Sequence, residues 1–429
     1  MLEERPCSVS RSYRRERGSR CVNYQIDMNG GKRPLEDDRE DELVPRKFSR
    51  QSDDIVDTDL TLGGALSSPV EDISSEDNSL VPGIGRDNAI SCLIHCSRSD
   101  YGSLSAVNRS FRSLIRSGEI YKLRRMNGVV EHWVYFSCSL QEWEAFDPNR
   151  LRWMRVPTMN SNDCFLFSDK ESLAVGTELL VFGKELMSQV IYRYSLLTNS
   201  WSSGIQMKDP RCLFGSASQG GIAVFAGGCD TQGKIMSSAE MYNSETGIWT
   251  LLPNMNKARK MCSGVLMDGK FYVVGGVGGP DSKPLTCGEV YDFEKRTWTE
   301  IPNMSPVRPP AGRENGVPAT AEAPPLLAVV NDQLYAANSA DMEVRRYDKA
   351  NQVWVTVGRL PERANSMNGW GLAFKACGDR LLVIGGPRTV GQGFIEVNSW
   401  VPSEGPPQWN VLGRKLSGSF VYNCAVMGC

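Results

Sequence analysis

The chain has 429 residues, 41% of them apolar, and its 48 Lys+Arg against 50 Asp+Glu leave a formal charge of −2. Such a length suggests two or three domains or one large domain with attachments, and the near-neutral balance excludes a general nucleic-acid coat. Only His95 and His132 are present, too few for a multi-histidine metal centre, and no apolar run approaches the ~18 residues of a membrane span.

Residues 1–79 read as a disordered charged segment. Aromatic and β-branched residues are sparse, and acids come in blocks such as LEDDREDEL and VEDISSEDNS. A segment of this kind cannot bury enough apolar surface to offset its ordering entropy. Its start, MLEERPCSVSRSYRRERGSR, is polar and arginine-rich, unlike a secretory leader. The thirteen cysteines are scattered from Cys7 to Cys429 without regular pairing, which favours reduced thiols. Nucleus and cytoplasm are the expected compartments. RRERGSR at 14–20, with GKR and PRK flanking the acidic run, reads either as a nuclear import signal or as solvated tail.

Residues 80–125 carry helical periodicity. Pro82 is placed to open a first helix, with Ala89, Ile90, Leu93 and Ile94 as its apolar stripe. After the polar break SRSDYG, the residues Leu104, Val107, Phe111, Leu114 and Ile115 again step by threes and fours. So small a helical segment needs a partner surface. Cys92, His95 and Cys96 share a helix face, but a structural zinc takes four ligands and no fourth lies nearby in sequence. Buried cysteines beside a surface histidine are the simpler reading.

From Val129 onward the chain repeats. Trp153, Trp201, Trp249, Trp298, Trp354 and Trp409 are 48, 48, 49, 56 and 55 residues apart. Seven residues before each of the first five stands Phe146, Tyr194, Tyr242, Tyr291 or Tyr347. The sixth unit instead has Trp400 nine residues before Trp409, across the insertion SEGPPQ. Short β-rich runs precede them: HWVYFSC, ELLVFGK, GIAVFAGG, KFYVVGG, QLYAANS and RLLVIGG. Several short strands per unit at a period near 50 residues predict a six-bladed β-propeller. The first unit lacks an opening strand, and SFVYNCAVMGC at 419–429 resembles the openers of the others. It is expected to pair into the first blade and close the ring, leaving no exposed edge.

In the fourth unit, KFYVVGGVGGP has the look of a phosphate-binding turn. A dinucleotide cradle, however, needs a helix after its glycines, and here DSKPLTCGEVYDF follows, a loop and another strand. VFAGG and LVIGG end other runs in the same way. Gly275-Gly276 therefore reads as a fold device that turns the strand and admits a neighbouring tryptophan. Val277 to Pro280 lengthens one loop of that blade alone. In three blades the equivalent pair is Ser137-Cys138, Gly183-Lys184 or Asn338-Ser339, which calls for a different backbone or some strain.

The strand–Gly-Gly run, the acidic-x-aromatic (EMY at 240, EVYD at 289) and the tryptophan seven residues later resemble the kelch repeat over 129–429. LVPGIGRDNAISCLIHCSRSDYGSLSAVNRSFRSLI resembles an F-box. Phe111 stands where that family has tryptophan, and Gly83 where an acid is common. Together the two segments resemble the plant F-box/kelch-repeat proteins. That resemblance implies a non-catalytic substrate receptor of an SCF-type cullin-RING ubiquitin ligase, with a Skp-family adaptor on the F-box and a protein substrate on the propeller. A kelch-type interaction scaffold without ligase association is the alternative. The expected adaptor-binding residues are Leu80, Pro82, Ile84, Ile90, Leu93, Leu104, Val107 and Phe111; they equally suit the small domain's own core.

Enzymatic readings find little support. No G-x-S-x-G or Walker-type motif is present. Copper ligation of the kind some propellers carry needs two histidines with tyrosines, and the propeller region holds only His132. No cofactor, metal, nucleic acid or membrane partner is expected. For the substrate face, Arg211, Arg259 and Arg308 lie ten residues after their tryptophans and Arg363 nine after Trp354. Four guanidiniums around one mouth would suit an acidic or phosphorylated peptide. The competing reading, favoured for a feature that every repeat shares, pairs each with a neighbouring blade's acid such as Glu240 or Glu289. The 305–325 loop, SPVRPPAGRENGVPATAEAPP, is long enough to be functional or disordered.

Overall fold

The computed structural model describes residues 80–429 apart from 82, 140, 187, 280–282, 307–321, 363–365, 367, 387–392, 417 and 419. The charged segment 1–79, its basic clusters, Pro82, Arg308 and Arg363 thus lie outside the described residues.

Six four-stranded antiparallel sheets form a β-propeller. Its innermost strands are Phe165–Val175, Gly215–Gln219, Ser263–Met267, Leu326–Val330, Ala373–Cys377 and Asn423–Gly428. These six contact one another around the ring. Asn423–Gly428 pairs with His132–Ser137 across six residue pairs, from Asn423 opposite Ser137 to Gly428 opposite His132. The last strand of the chain is therefore the innermost strand of blade 1, and it pairs the edge that His132–Ser137 would otherwise leave open.

The seven-residue ruler has a direct cause. Tyr242 in strand Ala239–Asn243 stands opposite Trp249 in strand Ile248–Leu252, and their ring centroids are 4.8 Å apart. Phe146/Trp153, Tyr194/Trp201, Tyr291/Trp298 and Tyr347/Trp354 repeat this pair at 4.7 to 5.4 Å. Tilted cross-strand pairs of this kind add to what area burial alone supplies. In four of these pairs the indole N–H then donates to the end of the preceding blade: Trp201 to Pro157, Trp249 to Ile205, Trp298 to Pro253 and Trp354 to Met304, at 2.7 to 3.1 Å. The tryptophan thus fills its own blade and staples it to the one before. In blade 6 Trp409 keeps the staple, donating to Arg359 at 2.8 Å, and packs on Trp400 at 5.8 Å.

The glycine pair also turns the strand, but a tryptophan is not what approaches it. Gly275 and Gly276 have φ +66° and +87°, and a Cβ on Gly276 would lie 2.5 Å from the Lys260 carbonyl oxygen. That carbonyl belongs to the loop leading into the blade, so backbone meets backbone and no side chain fits. Val277 donates to and accepts from Lys260 at 2.8 and 3.0 Å, and Val277–Gly278 pairs with Lys283–Pro284. Ser137, Cys138, Gly183, Lys184, Asn338 and Ser339 all keep negative φ, so those blades turn without the left-handed pair.

Ahead of the propeller lie four helices, α1 (Arg86–Ile94), α2 (Tyr101–Val107), α3 (Arg109–Arg116) and α4 (Glu119–Met126). The first starts at Arg86, four residues past Pro82. The second periodic stretch is two helices, because extended Asn108 (φ −152°, ψ 171°) ends α2 and caps α3, accepting from the Phe111 N–H at 2.8 Å. Helical residues such as Leu93, Tyr101 and Leu114 share one apolar cluster with Trp133, Tyr135 and Trp143 of blade 1.

Candidate functional site

Strand direction sorts the connections onto two faces. In blades 2 to 5 the first two strands are joined by a short turn, as at 220–221, and the last two by another, as at 244–247; both lie on one face. The opposite face carries the longer segments, as at 227–238 and 253–262.

The helical unit sits on the short-turn face of blades 1 to 3. Arg150 of a blade 1 turn pairs with Asp100 at 3.0 Å, and Arg125 of α4 pairs with Glu245 of a blade 3 turn at 3.1 Å. Gly118 lies against Leu197 of a blade 2 turn. At the centre of the joint is Glu131. Its carboxylate accepts from Ser97 Oγ at 2.7 Å, the Arg98 N–H at 2.8 Å, Arg124 Nη2 at 3.2 Å and the Trp133 indole at 3.3 Å. Arg98 also donates to Tyr135 Oη at 3.2 Å and to the carbonyls of Glu131 and Met427, with its guanidinium 4.5 Å from the Trp133 ring centre. Arg124 donates to Ile94, Cys96 and Tyr101. Burial pushes the Glu131 carboxyl up, but its bonds from Arg98, Ser97 and Trp133 outweigh that and hold it below the usual range. The stretch SRSDYG, read as a polar break, is therefore the joint itself. A single sequence gave no sign of this, because Arg98, Arg124 and Glu131 look like ordinary surface charges.

The eight expected adaptor-binding residues divide by exposure. Leu80, Leu93 and Phe111 are buried in the helical unit's own core, which removes them as anchors; Ile90 and Leu104 are half-buried. Ile84 and Val107 are 44% and 68% exposed. Asn108 Nδ2 donates to the Leu80 carbonyl at 3.1 Å, holding the segment before α1 beside the end of α2. Pro82 lies outside the described residues. Cys92 and His95 are exposed, not a buried thiol with a surface histidine, and Cys96 is half-buried. No group of three or more His, Cys, Asp or Glu among the described residues is placed to hold a metal ion.

The arginine ring is corrected. Arg211 and Arg259 are only 2% and 0% exposed. Arg211 Nη2 meets Glu240 at 2.8 Å, and its other nitrogens reach the carbonyls of Asp209, Gly227 and Ser238. Arg259 Nη2 meets Glu289 at 2.7 Å, with further bonds to the carbonyls of Gly275 and Cys287. The same glutamates accept backbone N–H groups of the incoming loop, Lys208 and Asp209 in one blade, Asn256 and Lys257 in the next. These guanidiniums fasten each loop to its blade and face no ligand.

What the long-loop face does offer is the mouth of the axial channel. A partly open pocket of about 100 Å³ lies there, with Ser172, Ser216, Ser263, Pro325, Lys375 and Asn423 each contributed by a different blade. Ser172 Oγ and Asn423 Oδ1 are buried without a hydrogen-bond partner in the protein. At the rim the Lys170 ammonium donates to the Leu372 carbonyl at 2.5 Å and lies 6.0 Å from the Trp370 ring centre, while Phe420 and Tyr422 pack at 4.6 Å. Sequence reasoning missed this lining because its residues come from six blades and share no motif.

The kelch-motif family model matches residues 210–256 and 258–305, blades 3 and 4 with their incoming loops. The F-box/kelch-repeat protein SKIP11 of Arabidopsis thaliana is 70% identical over 358 residues, covering 83% of this chain and 76% of that protein. Two further F-box/kelch-repeat proteins of the same plant are 61% and 63% identical, with 83% and 82% of this chain matched to 85% and 80% of theirs. Each alignment is longer than the propeller alone, and the chain belongs to the plant F-box/kelch-repeat family.

Proposed function

We propose that this chain is the non-catalytic substrate-recognition subunit of an SCF-type cullin-RING ubiquitin ligase. Its helical unit binds a Skp-family adaptor and its propeller binds a protein substrate, with no cofactor, in the nucleus or cytoplasm. The observation that carries the reading is the seating of the helical unit on the short-turn face of blades 1 to 3. It leaves the opposite face, with the long loops and the channel mouth, open for a second protein. Glu131 and its partners hold the two at a fixed angle, as a receptor that presents a substrate to a distant enzyme requires. The exposed apolar pair Ile84 and Val107 is the adaptor anchor. An acidic or phosphorylated substrate would meet Lys170 and Lys375 at the channel mouth in place of the buried arginines.

The test is capture of a purified Skp-family adaptor by the full chain and by the variant Ile84→Asp/Val107→Asp. Adaptor binding by the wild type, abolished in a variant that melts like the wild type, is the expected result. If the wild type does not bind, the chain is an interaction scaffold without a ligase link.

A further inference from the structure

Cys212 lies in the loop that leads into blade 3, and Cys229 in the segment between that blade's second and third strands. They form an isolated antiparallel bridge: the Cys212 N–H donates to the Cys229 carbonyl at 2.9 Å, and the Cys229 N–H donates back at 2.8 Å. Their Sγ atoms are 3.6 Å apart. A hydrogen-bonded antiparallel pair has its Cα atoms ~5.5 Å apart, inside the ~4.4–6.8 Å range that a disulfide spans. The Cα spacing is thus within reach of a disulfide, and the sulfurs close from 3.6 Å to the ~2.05 Å of the bond by a small approach of the two segments.

Blade 4 supplies an internal control. Its equivalent bridge, with bonds of 3.0 and 2.8 Å, joins Lys260 to Val277. The fold thus makes this bridge without cysteine, and blade 4 has no thiol pair there. Exposure is also asymmetric, since Cys212 is half-buried and Cys229 fully buried. Cys212 is therefore the residue of the pair that solvent reaches. The segment after Cys229 is folded back on itself: Asp230 Oδ1 accepts from Gln232 and Lys234 at 2.9 Å, and the Met236 N–H donates to the Gly228 carbonyl at 2.9 Å.

We propose that Cys212 and Cys229 are a redox modification site on the long-loop face, converted to an intramolecular disulfide by a small disulfide such as oxidised glutathione. The Cys212 thiolate attacks one sulfur of glutathione disulfide, forming a mixed disulfide and releasing one glutathione thiolate. The Cys229 thiolate then attacks Cys212 Sγ, forms the intramolecular bond and expels the second glutathione thiolate. The two protein thiol protons end on the two glutathione thiols, so two thiols and one disulfide give one disulfide and two thiols. Excess reduced glutathione reverses both steps, which suits a compartment where protein disulfides are transient. The product fastens the 228–236 segment to the loop entering its blade. It does not depend on the ligase reading.

The full chain is equilibrated in buffers of rising oxidised-to-reduced glutathione ratio, quenched in acid, alkylated, and digested without reductant for mass spectrometry. A peptide pair linking Cys212 to Cys229 is expected to accumulate, with loss of Cys212 alkylation at the oxidised end. Cys229→Ala should instead accumulate glutathione on Cys212. Cys212→Lys/Cys229→Val, which copies blade 4, should fold and show neither product; should it fail to fold, Cys229→Ala still decides. Wild-type Cys212 that stays alkylatable, keeps only glutathione, or links to another cysteine overturns the proposal.

Discussion

In blades 3 and 4 one buried arginine meets one buried glutamate, whereas at the joint between the helical unit and blade 1 the Glu131 carboxylate takes the Arg124 guanidinium and only the main-chain N–H of Arg98, whose guanidinium goes to the carbonyls of Glu131 and Met427. The blade pairs are short-range devices in which Arg259 and Glu289 lie 30 residues apart with main-chain carbonyls around them. At the joint, ring faces replace the missing second acid, with Trp133 4.5 Å from the Arg98 guanidinium and Tyr101 5.6 Å from that of Arg124. Repeated arginines thus hold a blade to its own loop, and unrepeated ones hold one unit to another. An arginine present in every repeat is poor evidence of a ligand site.

Three experiments would break or sharpen that contrast. The largest effect is expected from Arg259→Ala, which leaves Glu289 buried without its counter-charge and should cost about 3–5 kcal/mol. Denaturant unfolding should show one cooperative transition at a lower midpoint; an unchanged midpoint would mean that the pair contributes little to the blade. Glu131→Gln should cost less, about 2 kcal/mol, because Arg98 and Arg124 keep their carbonyl and ring contacts. Hydrogen exchange should rise in α4 and the 94–101 segment while blade 4 is unaffected, and uniform loosening would contradict a local joint.

The smallest effect concerns pH. His132 is packed between Gly378 and Gly428. Burial, with repulsion from Arg98, lowers its pKa below the ordinary 6.5, and Asp379 opposes this only in part. A group whose folded pKa is depressed adds stability above its unfolded pKa and loses it as pH falls. Stability should therefore start to decline below about pH 6.5, and His132→Gln should flatten that first step. A second decline belongs to Glu131, whose lowered pKa puts its loss below the ordinary carboxylate value of 4.5. Identical pH profiles for His132→Gln and the wild type would remove the first step.

Much of the fold was legible because its signals are local. Tyr242 and Trp249 face each other simply because a four-residue turn separates two short strands, so spacing alone reveals the blade. The six-bladed count and the strand-Gly-Gly turn follow in the same way. The candidate sites were less legible. Helical periodicity gathered eight apolar residues, but it cannot distinguish Phe111, which packs inward, from Val107, which faces solvent at the end of α2. Both satisfy the same three-and-four stepping.

By itself, then, the sequence determined the repeat, the aromatic–tryptophan pairs, the backbone role of Gly275-Gly276 and the resemblance to F-box/kelch-repeat proteins. Tertiary structure alone decided the direction of each guanidinium, the joint that Arg98 makes with Glu131 and Met427, and the six-blade lining of the channel. The physical reason is range. Turn geometry and cross-strand pairing act over a few residues and leave a period in the chain. A joint in which Arg98 reaches Glu131 across 33 residues and Met427 across 329 depends on how whole elements pack, and that leaves no spacing to read.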